Sequence, residues 1–199
     1  MQNSNKTRGT GPLGGAGMVG LWGASSLIRS LQTGTIAVGI TSPTTATVTA
    51  VNPALSLLIS GSWSSNYNTG NGVYGTQPRI TLTNGTTITA TTYTTGTGID
   101  STTSWTLVEF APGAIRSVQY GTTSGTSGAD TATITAVNTA KSFVVYLGLT
   151  SSSSNAYSIE APGKYYARVT LTNSTTVTGR YENAGGQTMA IAFAVVECF

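Results

Sequence analysis

The chain has 199 residues, enough for one large domain or two small ones, and 39% of them are hydrophobic, which is sufficient for a core. Only 8% are charged, far below the roughly 25% of an average globular protein, and the net charge is +3. The nine Lys and Arg residues are scattered, so no cationic stripe exists to follow a nucleic-acid backbone. No apolar run is long enough for a membrane-spanning helix. We therefore expect neither nucleic-acid nor membrane partners.

Threonine, serine, asparagine and glycine take the place of the missing charged residues. Threonine is β-branched, which favours pleated strands and disfavours helices. Disordered chains of low hydrophobicity usually carry a high net charge, and this chain has neither property. The composition therefore predicts a folded, all-β protein.

Residues 1–27 form a glycine-rich segment in which isolated apolar side chains follow no strand period. These side chains are Leu13, Met18, Val19, Leu21 and Trp22. The segment cannot bury them by itself, so it is either disordered or ordered by docking on a partner. It also has the outline of a signal peptide, but glycines and one proline interrupt the apolar stretch. We interpret residues 1–27 as an extended anchoring arm.

The remainder of the chain is a tandem duplication. Five blocks recur in the same order, at an offset that moves only from 86 (Thr45 to Thr131) to 89 residues (Arg79 to Arg168). The matched blocks are IRSLQ and IRSVQ, TATVTAVN and TATITAVN, ALS and AKS, RITLTN and RVTLTN, and LVEF and VVEC. Small insertions and deletions between blocks indicate loops of different length in the two copies.

Each copy is predicted to contain about six strands, which start near positions 31, 45, 55, 79, 86 and 103 and recur about 87 residues later. TATVTAVN alternates small or apolar residues with threonines, the pattern of a strand with one buried face. LSLLIS and SFVVYLGL are nearly continuous apolar runs, which predicts strands covered on both faces.

The block TLTNGTTIT predicts a hairpin with a two-residue turn. Asn84 and Gly85 tolerate a positive φ at both central positions of such a turn, and alternating residues flank them. The second copy has Asn173 and Ser174, a weaker pair for that geometry, between identical flanks. We expect a hairpin in both copies.

The two copies predict two small antiparallel β-sandwich or barrel-like domains, at residues 28–111 and 112–199. The boundary lies at residues 111–114, where Pro112 cannot pair in a central strand and Gly113 loosens the connection. Domains of this size are marginally stable, so packing against each other or against further copies would help both.

No residue is predicted to be catalytic, to hold a metal or to bind a cofactor, and the protein is not expected to be an enzyme. Histidine is absent, which removes the usual general base and the commonest metal ligand. Among the six acidic residues, Glu109 and Glu197 are repeat equivalents near strand ends, a setting typical of structural hydrogen bonds. The single Cys198 excludes an internal disulfide; we expect a buried free thiol, the alternative being an intermolecular disulfide.

Aromatic residues among Gly, Asn and Ser occupy the longest loop of each copy, at residues 60–78 and from 150 onward. These candidate ligand residues are Trp63, Tyr67, Tyr74, Tyr157, Tyr165 and Tyr166. Such a composition is typical of adaptable binding loops and also suits stacking on sugars. The alternative is that these rings fold back onto the edges of their own sandwiches.

The repeated motifs resemble a module of tailed-bacteriophage virion proteins. They are IRSxQ-G, TATxTAVN followed by A-x-S and an apolar strand, R-[IV]-TLTN-[GS]-TT-[IV]-T, and a closing -VE-. The module occurs, often in tandem, in head-decoration, head-fibre and tail-associated proteins. The resemblance covers residues 28–199 and leaves the arm outside. The second copy departs from the first at Ser174 and at Cys198, which stand where the first has Gly85 and Phe110.

The resemblance implies a non-enzymatic structural protein at the surface of the phage particle, without a cofactor. It implies attachment through the arm to other virion proteins of the capsid, the portal or neck, or the tail. It also implies a homo-oligomer, with a trimer preferred. The alternative function is a tail-fibre or adhesin-like module whose aromatic loops bind host-surface glycans. A polysaccharide hydrolase that uses a carboxylate pair is a third hypothesis, which no sequence spacing indicates.

Overall fold

A computed structural model of the chain describes residues 26–38, 42–65, 78–92, 101–126, 128–151, 167–181 and 188–199. The Leu13–Trp22 portion of the predicted arm lies outside these residues. Strands make up most of the described chain, which confirms the predicted all-β fold. None of the helical segments in the described ranges has the length and apolar character needed to cross a membrane.

The described part of the first half contains six strands and one short 3₁₀ helix. They are β1 (Ile28–Val38), β2 (Thr44–Thr47), η1 (Pro53–Leu55), β3 (Ser56–Ser65), β4 (Arg79–Asn84), β5 (Thr87–Thr91) and β6 (Ser101–Phe110). Each strand starts within three residues of its predicted position. The side chain of Asn52 caps η1 by accepting a hydrogen bond from the backbone N–H of Ala54.

The second half repeats this order. It contains β7 (Ser117–Gly125), β8 (Ala129–Thr133), η2 (Thr139–Lys141), β9 (Ser142–Ser151), β10 (Ala167–Asn173), β11 (Thr176–Tyr181) and β12 (Met189–Glu197). Asn138 caps η2 through the N–H of Ala140, as Asn52 caps η1. The duplication seen in the sequence is therefore a duplication of structure down to the helix caps.

The strands of the described residues form four three-stranded antiparallel sheets, two in each half. In the first half β1–β6–β3 lies against β2–β5–β4, and in the second half β7–β12–β9 lies against β8–β11–β10. Every sheet takes its strands from one half only, and residues 111–116 connect β6 to β7. This two-layer arrangement is the sandwich predicted from the sequence.

Strands β2 and β8 are shorter than their alternating sequences predicted. β2 ends at Thr47, and the chain then follows the turn of the β4–β5 hairpin. The N–H groups of Val48 and Val51 donate to the carbonyl oxygens of Thr86 and Gly85, at 2.9 and 2.8 Å. Val48 in TATVTAVN is still buried, as the alternation predicted, but it lies in a loop after the end of β2.

The turns of the two hairpins differ from the prediction in their geometry. Neither Asn84 nor Gly85 has a positive φ, so the expected pair of left-handed residues was wrong. Instead, the Oδ1 atom of Asn84 accepts a hydrogen bond from the N–H of Thr86 at 2.9 Å, and Asn173 accepts the equivalent bond in the second copy. Because the asparagine side chain holds the turn, Ser174 can replace Gly85 without backbone strain.

The largest buried cluster contains residues of both halves. From the first half it includes the facing residues of both sheets, among them Leu58, Ile80, Ile88 and Leu107. Its members from the second half are Ile115, Val118, Leu147, Ala192, Ala194 and Val196. Two further clusters, one around Phe193 and one around Ile191, fill the second sandwich itself. The two halves are therefore joined through a shared core.

The two faces of strand β12 pack into two different hydrophobic clusters. Phe193 and Val195 point into the second sandwich, while Ala192, Ala194 and Val196 point to the other side and belong to the shared cluster. The equivalent strand of the first half, β6, has no such double role. Its outward positions Ser104 and Thr106 are only half-buried and polar.

Candidate interaction surfaces

The structure describes one of the predicted ligand residues, Trp63. The other candidates lie outside the described residues, as do the named residues of the arm: Tyr67, Tyr74, Tyr157, Tyr165, Tyr166, Leu13, Met18, Val19, Leu21 and Trp22. The proposed clustering of aromatic rings in the loops therefore stays a prediction.

Trp63 lies near the end of β3, opposite Thr103 of β6, and 40% of its surface is exposed. The hydroxyls of the neighbouring Ser62 and of Ser104 lie 3.4 Å apart, and the Ser104 hydroxyl also donates to the carbonyl oxygen of Ser62 at 3.1 Å. An exposed indole beside hydroxyl groups can stack on a sugar ring or pack on another protein. Most of the ring is nonetheless covered by the protein, so the alternative of rings that fold back onto the edges of their own sandwiches stays a prediction as well.

An exposed apolar patch lies where residues 1–25 join the first sandwich. Leu27, Ile28 and Leu31 are all exposed at the beginning of β1, and Phe110 opposite Ile28 is half-buried. The sequence did not single out this patch, because IRSLQ and IRSVQ differ by one apolar substitution that carries no sign of exposure. Clustered apolar side chains at a surface are typical of a site that another segment or protein covers.

Glu109 is a structural carboxylate, as its position near a strand end predicted. Its side chain is 5% exposed, and its Oε1 atom accepts from the N–H of Asn52 at 3.0 Å and from Nη1 of Arg29 at 3.3 Å. Its Oε2 atom accepts from the hydroxyl of Ser30 at 3.2 Å. These bonds connect β6 to β1 and to the cap residue of η1, so the buried charge is compensated by the protein itself.

Glu197 repeats this arrangement in the second half. Its Oε1 atom accepts from the N–H of Asn138 at 2.9 Å, and its Oε2 atom lies 3.7 Å from Nε of Arg116. Both glutamates thus hold the loop before the third strand of their own half. Within the described ranges, His, Cys, Asp and Glu side chains nowhere gather in threes around a point that could hold a metal ion.

Two glutamines form a second set of side-chain to backbone hydrogen bonds that occurs in both halves. The side chain of Gln32 accepts from the N–H of Thr49 at 2.8 Å and donates to its carbonyl oxygen at 3.0 Å. Gln119 binds the backbone of Thr135 in the same way, at 2.8 and 3.1 Å. The polar members of the repeated motifs therefore hold loops to strands, which is a reason for their repetition.

Tyr120 forms the polar centre of the interface between the halves. Its hydroxyl donates to the carbonyl oxygen of Ser56 at 2.7 Å and accepts from the N–H of Leu58 at 2.8 Å. Both groups belong to the outer edge of β3, beside which the described residues place no further strand. Burial raises the pKa of Tyr120 well above its ordinary range, so the neutral hydroxyl makes these bonds at physiological pH.

The same interface continues along β9 and β4. Gly148 has φ +109°, and a Cβ atom built there would lie 2.3 Å from the carbonyl oxygen of Pro78, so only glycine fits this contact. Arg79 lies beside it, and its Nη1 atom is 3.4 Å from the hydroxyl of Thr122. Burial lowers the pKa of Arg79. Its repeat equivalent Arg168 is exposed, so the described residues do not form the same contact in the second half.

Cys198 is a free thiol, as predicted, but it is half-buried and follows the end of β12 instead of lying within the strand. Its N–H donates to the carbonyl oxygen of Lys141 at 2.8 Å, which ties the chain end to η2.

Comparison with known proteins adds no relative to this picture: the chain matches no protein-family model, no curated protein and no solved structure.

Proposed function

We propose that this chain is a non-enzymatic structural protein of a tailed-bacteriophage particle. Residues 1–27 attach it to the capsid, the portal or neck, or the tail, and the two sandwiches project from the particle surface. The observation that carries this proposal is the apolar patch of Leu27, Ile28 and Leu31, which lies where the apolar arm joins the folded part. The patch directly follows the apolar segment of the arm in the sequence, so one partner surface would serve to bind both.

The shared core supports a mechanical role. Apolar residues from both halves are buried in one cluster, and the Tyr120 hydroxyl binds the edge of β3 across the interface. Two sandwiches joined in this way behave as a single stiff body instead of two domains on a flexible linker. A stiff projection suits reinforcement or decoration of a particle.

The buried carboxylates support a role without covalent chemistry. Glu109 and Glu197 each use their oxygens to hold backbone N–H groups of their own half. A general acid or base needs an oxygen directed at a substrate, whereas these oxygens are directed at loop backbone. Homotrimer formation, which the resemblance implies, belongs to the same proposal.

The test compares the full chain with a chain that starts at Ser26. Both are measured for mass in solution and for binding to particles that lack this protein. We expect the shortened chain to fold and to lose particle binding. As a matched pair in the full chain, Leu21→Ala with Trp22→Ala should weaken binding, whereas Trp63→Ala should not. If the shortened chain binds particles as well as the full chain, the arm is not the anchor and the proposal fails.

A second function, binding of host-surface glycans, rests on the exposed ring of Trp63. Titration of host-surface polysaccharide distinguishes it from the first. Binding that is lost in Trp63→Ala and in Tyr67→Ala, and kept in the control Ile59→Ala on the same strand, would support it. Absence of any glycan binding by the full chain would exclude it.

A further inference from the structure

The internal interface shows how one repeat binds another. The outer face of β7–β12–β9 covers the edge that β3 and β4 form together with η1. We call the covering face the plug of the second repeat. We call the covered edge the socket of the first repeat. Because the repeats are duplicates, the first repeat also has a plug, the outer face of β1–β6–β3. The second repeat likewise has a socket, the β9–β10 edge with η2.

The socket of the second repeat has exposed apolar residues where the occupied socket has buried ones. Leu57 is 6% exposed in the first repeat, and its equivalent Phe143 is 47% exposed. Ile80 is completely buried, whereas its equivalent Val169 is only half-buried. The predicted cover on both faces of SFVVYLGL was therefore wrong at Phe143, because the described residues place no third repeat against this edge.

The plug of the first repeat shows the same difference. Ile115 and Val118, at the start of the second repeat, are each 6% exposed and belong to the shared core. Their equivalents Ile28 and Leu31 are 45% and 61% exposed. Three of the large exposed apolar side chains in the described residues thus occupy positions that the other copy buries in the internal interface.

We propose that the chain associates head to tail with a second copy of itself, through these two surfaces. Ile28 and Leu31 of one copy pack against Phe143 and the β9–β10 edge of the next. Such an interface joins two different surfaces, so it produces a ring if the rotation closes and a filament if it does not. Ile28 and Leu31 also belong to the patch that carries the proposed function, so the two proposals compete for these side chains. The experiment below uses the purified chain alone, so its failure is distinguishable from a failure of particle binding.

The sequence differences between the copies make this contact weaker than the internal one. Thr33 stands where Tyr120 binds the edge strand, and Ser104 and Thr106 stand where Ala192 and Ala194 are buried. The hydroxyl of threonine is too short to reproduce the two bonds of Tyr120. The contact is therefore concentrated on the apolar ends of the two surfaces, and we expect a reversible association that increases with protein concentration.

The experiment measures the mass of the chain over micromolar to millimolar concentrations. Leu31→Asp removes the free plug and Phe143→Asp removes the free socket. Trp63→Asp is the matched control, because Trp63 is exposed but lies at the opposite end of the β1–β6–β3 sheet from Ile28 and Leu31. Circular dichroism and thermal unfolding check that each variant folds. We expect wild type and the control to associate and each plug or socket variant alone to stay monomeric.

A mixture of the two variants decides between head-to-tail and symmetric contacts. Leu31→Asp keeps an intact socket and Phe143→Asp an intact plug, so together they should form a one-to-one dimer that grows no further. A wild-type chain that stays monomeric throughout would overturn the proposal. Association that neither variant affects, or variants that both fail alone and also fail to pair in the mixture, would overturn it as well.

Discussion

The hydroxyl of Tyr120 in the second half accepts a hydrogen bond from the backbone N–H of Leu58 in the first half, at 2.8 Å. The bond satisfies a buried group on an edge strand, a task that a neighbouring strand would usually perform. One side chain thereby converts an open sheet edge into an interface. The folding of the two halves should in consequence be coupled.

The first prediction concerns this bond. Tyr120→Phe keeps the ring but leaves two backbone groups of β3 without a partner, so it should lower the free energy of unfolding by about 2 kcal/mol. Chemical denaturation measures the loss. Tyr146→Phe is the matched control, since the hydroxyl of Tyr146 has no hydrogen-bond partner within the described ranges, although burial raises its pKa. Equal losses in the two variants would contradict the role of Tyr120.

The second prediction separates the two partners of a partly buried ion pair. Glu109→Ala leaves the N–H of Asn52 unpaired and should cost about 2 kcal/mol. Arg29→Ala should cost less than about 1 kcal/mol, because the Arg29 side chain is 64% exposed and solvent screens the pair. Denaturation in low and high salt checks both values. A larger loss for Arg29→Ala than for Glu109→Ala would show that charge, not loop attachment, matters here.

The repeats, the positions of the strands along the chain and the hairpins could be predicted, because each leaves a periodic or recurring pattern in the sequence. The interface between the halves could not, since it depends on which of two equivalent faces is covered. The sequence contained one sign of this interface. Tyr120 and Ala194 stand where the first copy has Thr33 and Thr106, so the second copy is more apolar on one face. Alternation within a single strand does not show whether such a face meets a second repeat or solvent.

The third prediction concerns matched glycines that allow an aromatic ring to lie on the strand. A Cβ atom at Gly34 would be 2.6 Å from Trp105, and one at Gly121 would overlap Phe193 in the same way. Gly34→Ala should therefore destabilise the protein by about 2 kcal/mol, the usual cost of overpacking. Trp105→Leu in the same chain should recover part of that loss, which a double-mutant cycle measures. Strictly additive losses would show that the two side chains do not compete for space.

The fourth prediction concerns Tyr181 at high pH. Its hydroxyl lies 2.6 Å from the carbonyl oxygen of Gly125 and 2.6 Å from Oδ2 of Asp130. Burial, and then the neighbouring carboxylate, raise its pKa to about 12, from an ordinary value near 10. The folded state therefore holds the proton more tightly than the unfolded state. The stabilisation is complete below about pH 10 and is lost as the pH rises through about 12.

Asp130→Asn tests the cause of this shift. The amide keeps a hydrogen-bond acceptor for Tyr181 but removes the negative charge, so the pKa of Tyr181 should fall while its remaining elevation reports burial together with the retained hydrogen bond. Ultraviolet difference absorption follows the ionisation of the phenol, and unfolding at several alkaline pH values gives the slope of stability against pH. Tyr181→Phe provides the reference without a titrating group. If Asp130→Asn leaves both the titration and the slope unchanged, burial and the hydrogen bond account for the whole shift and the negative charge of Asp130 does not contribute.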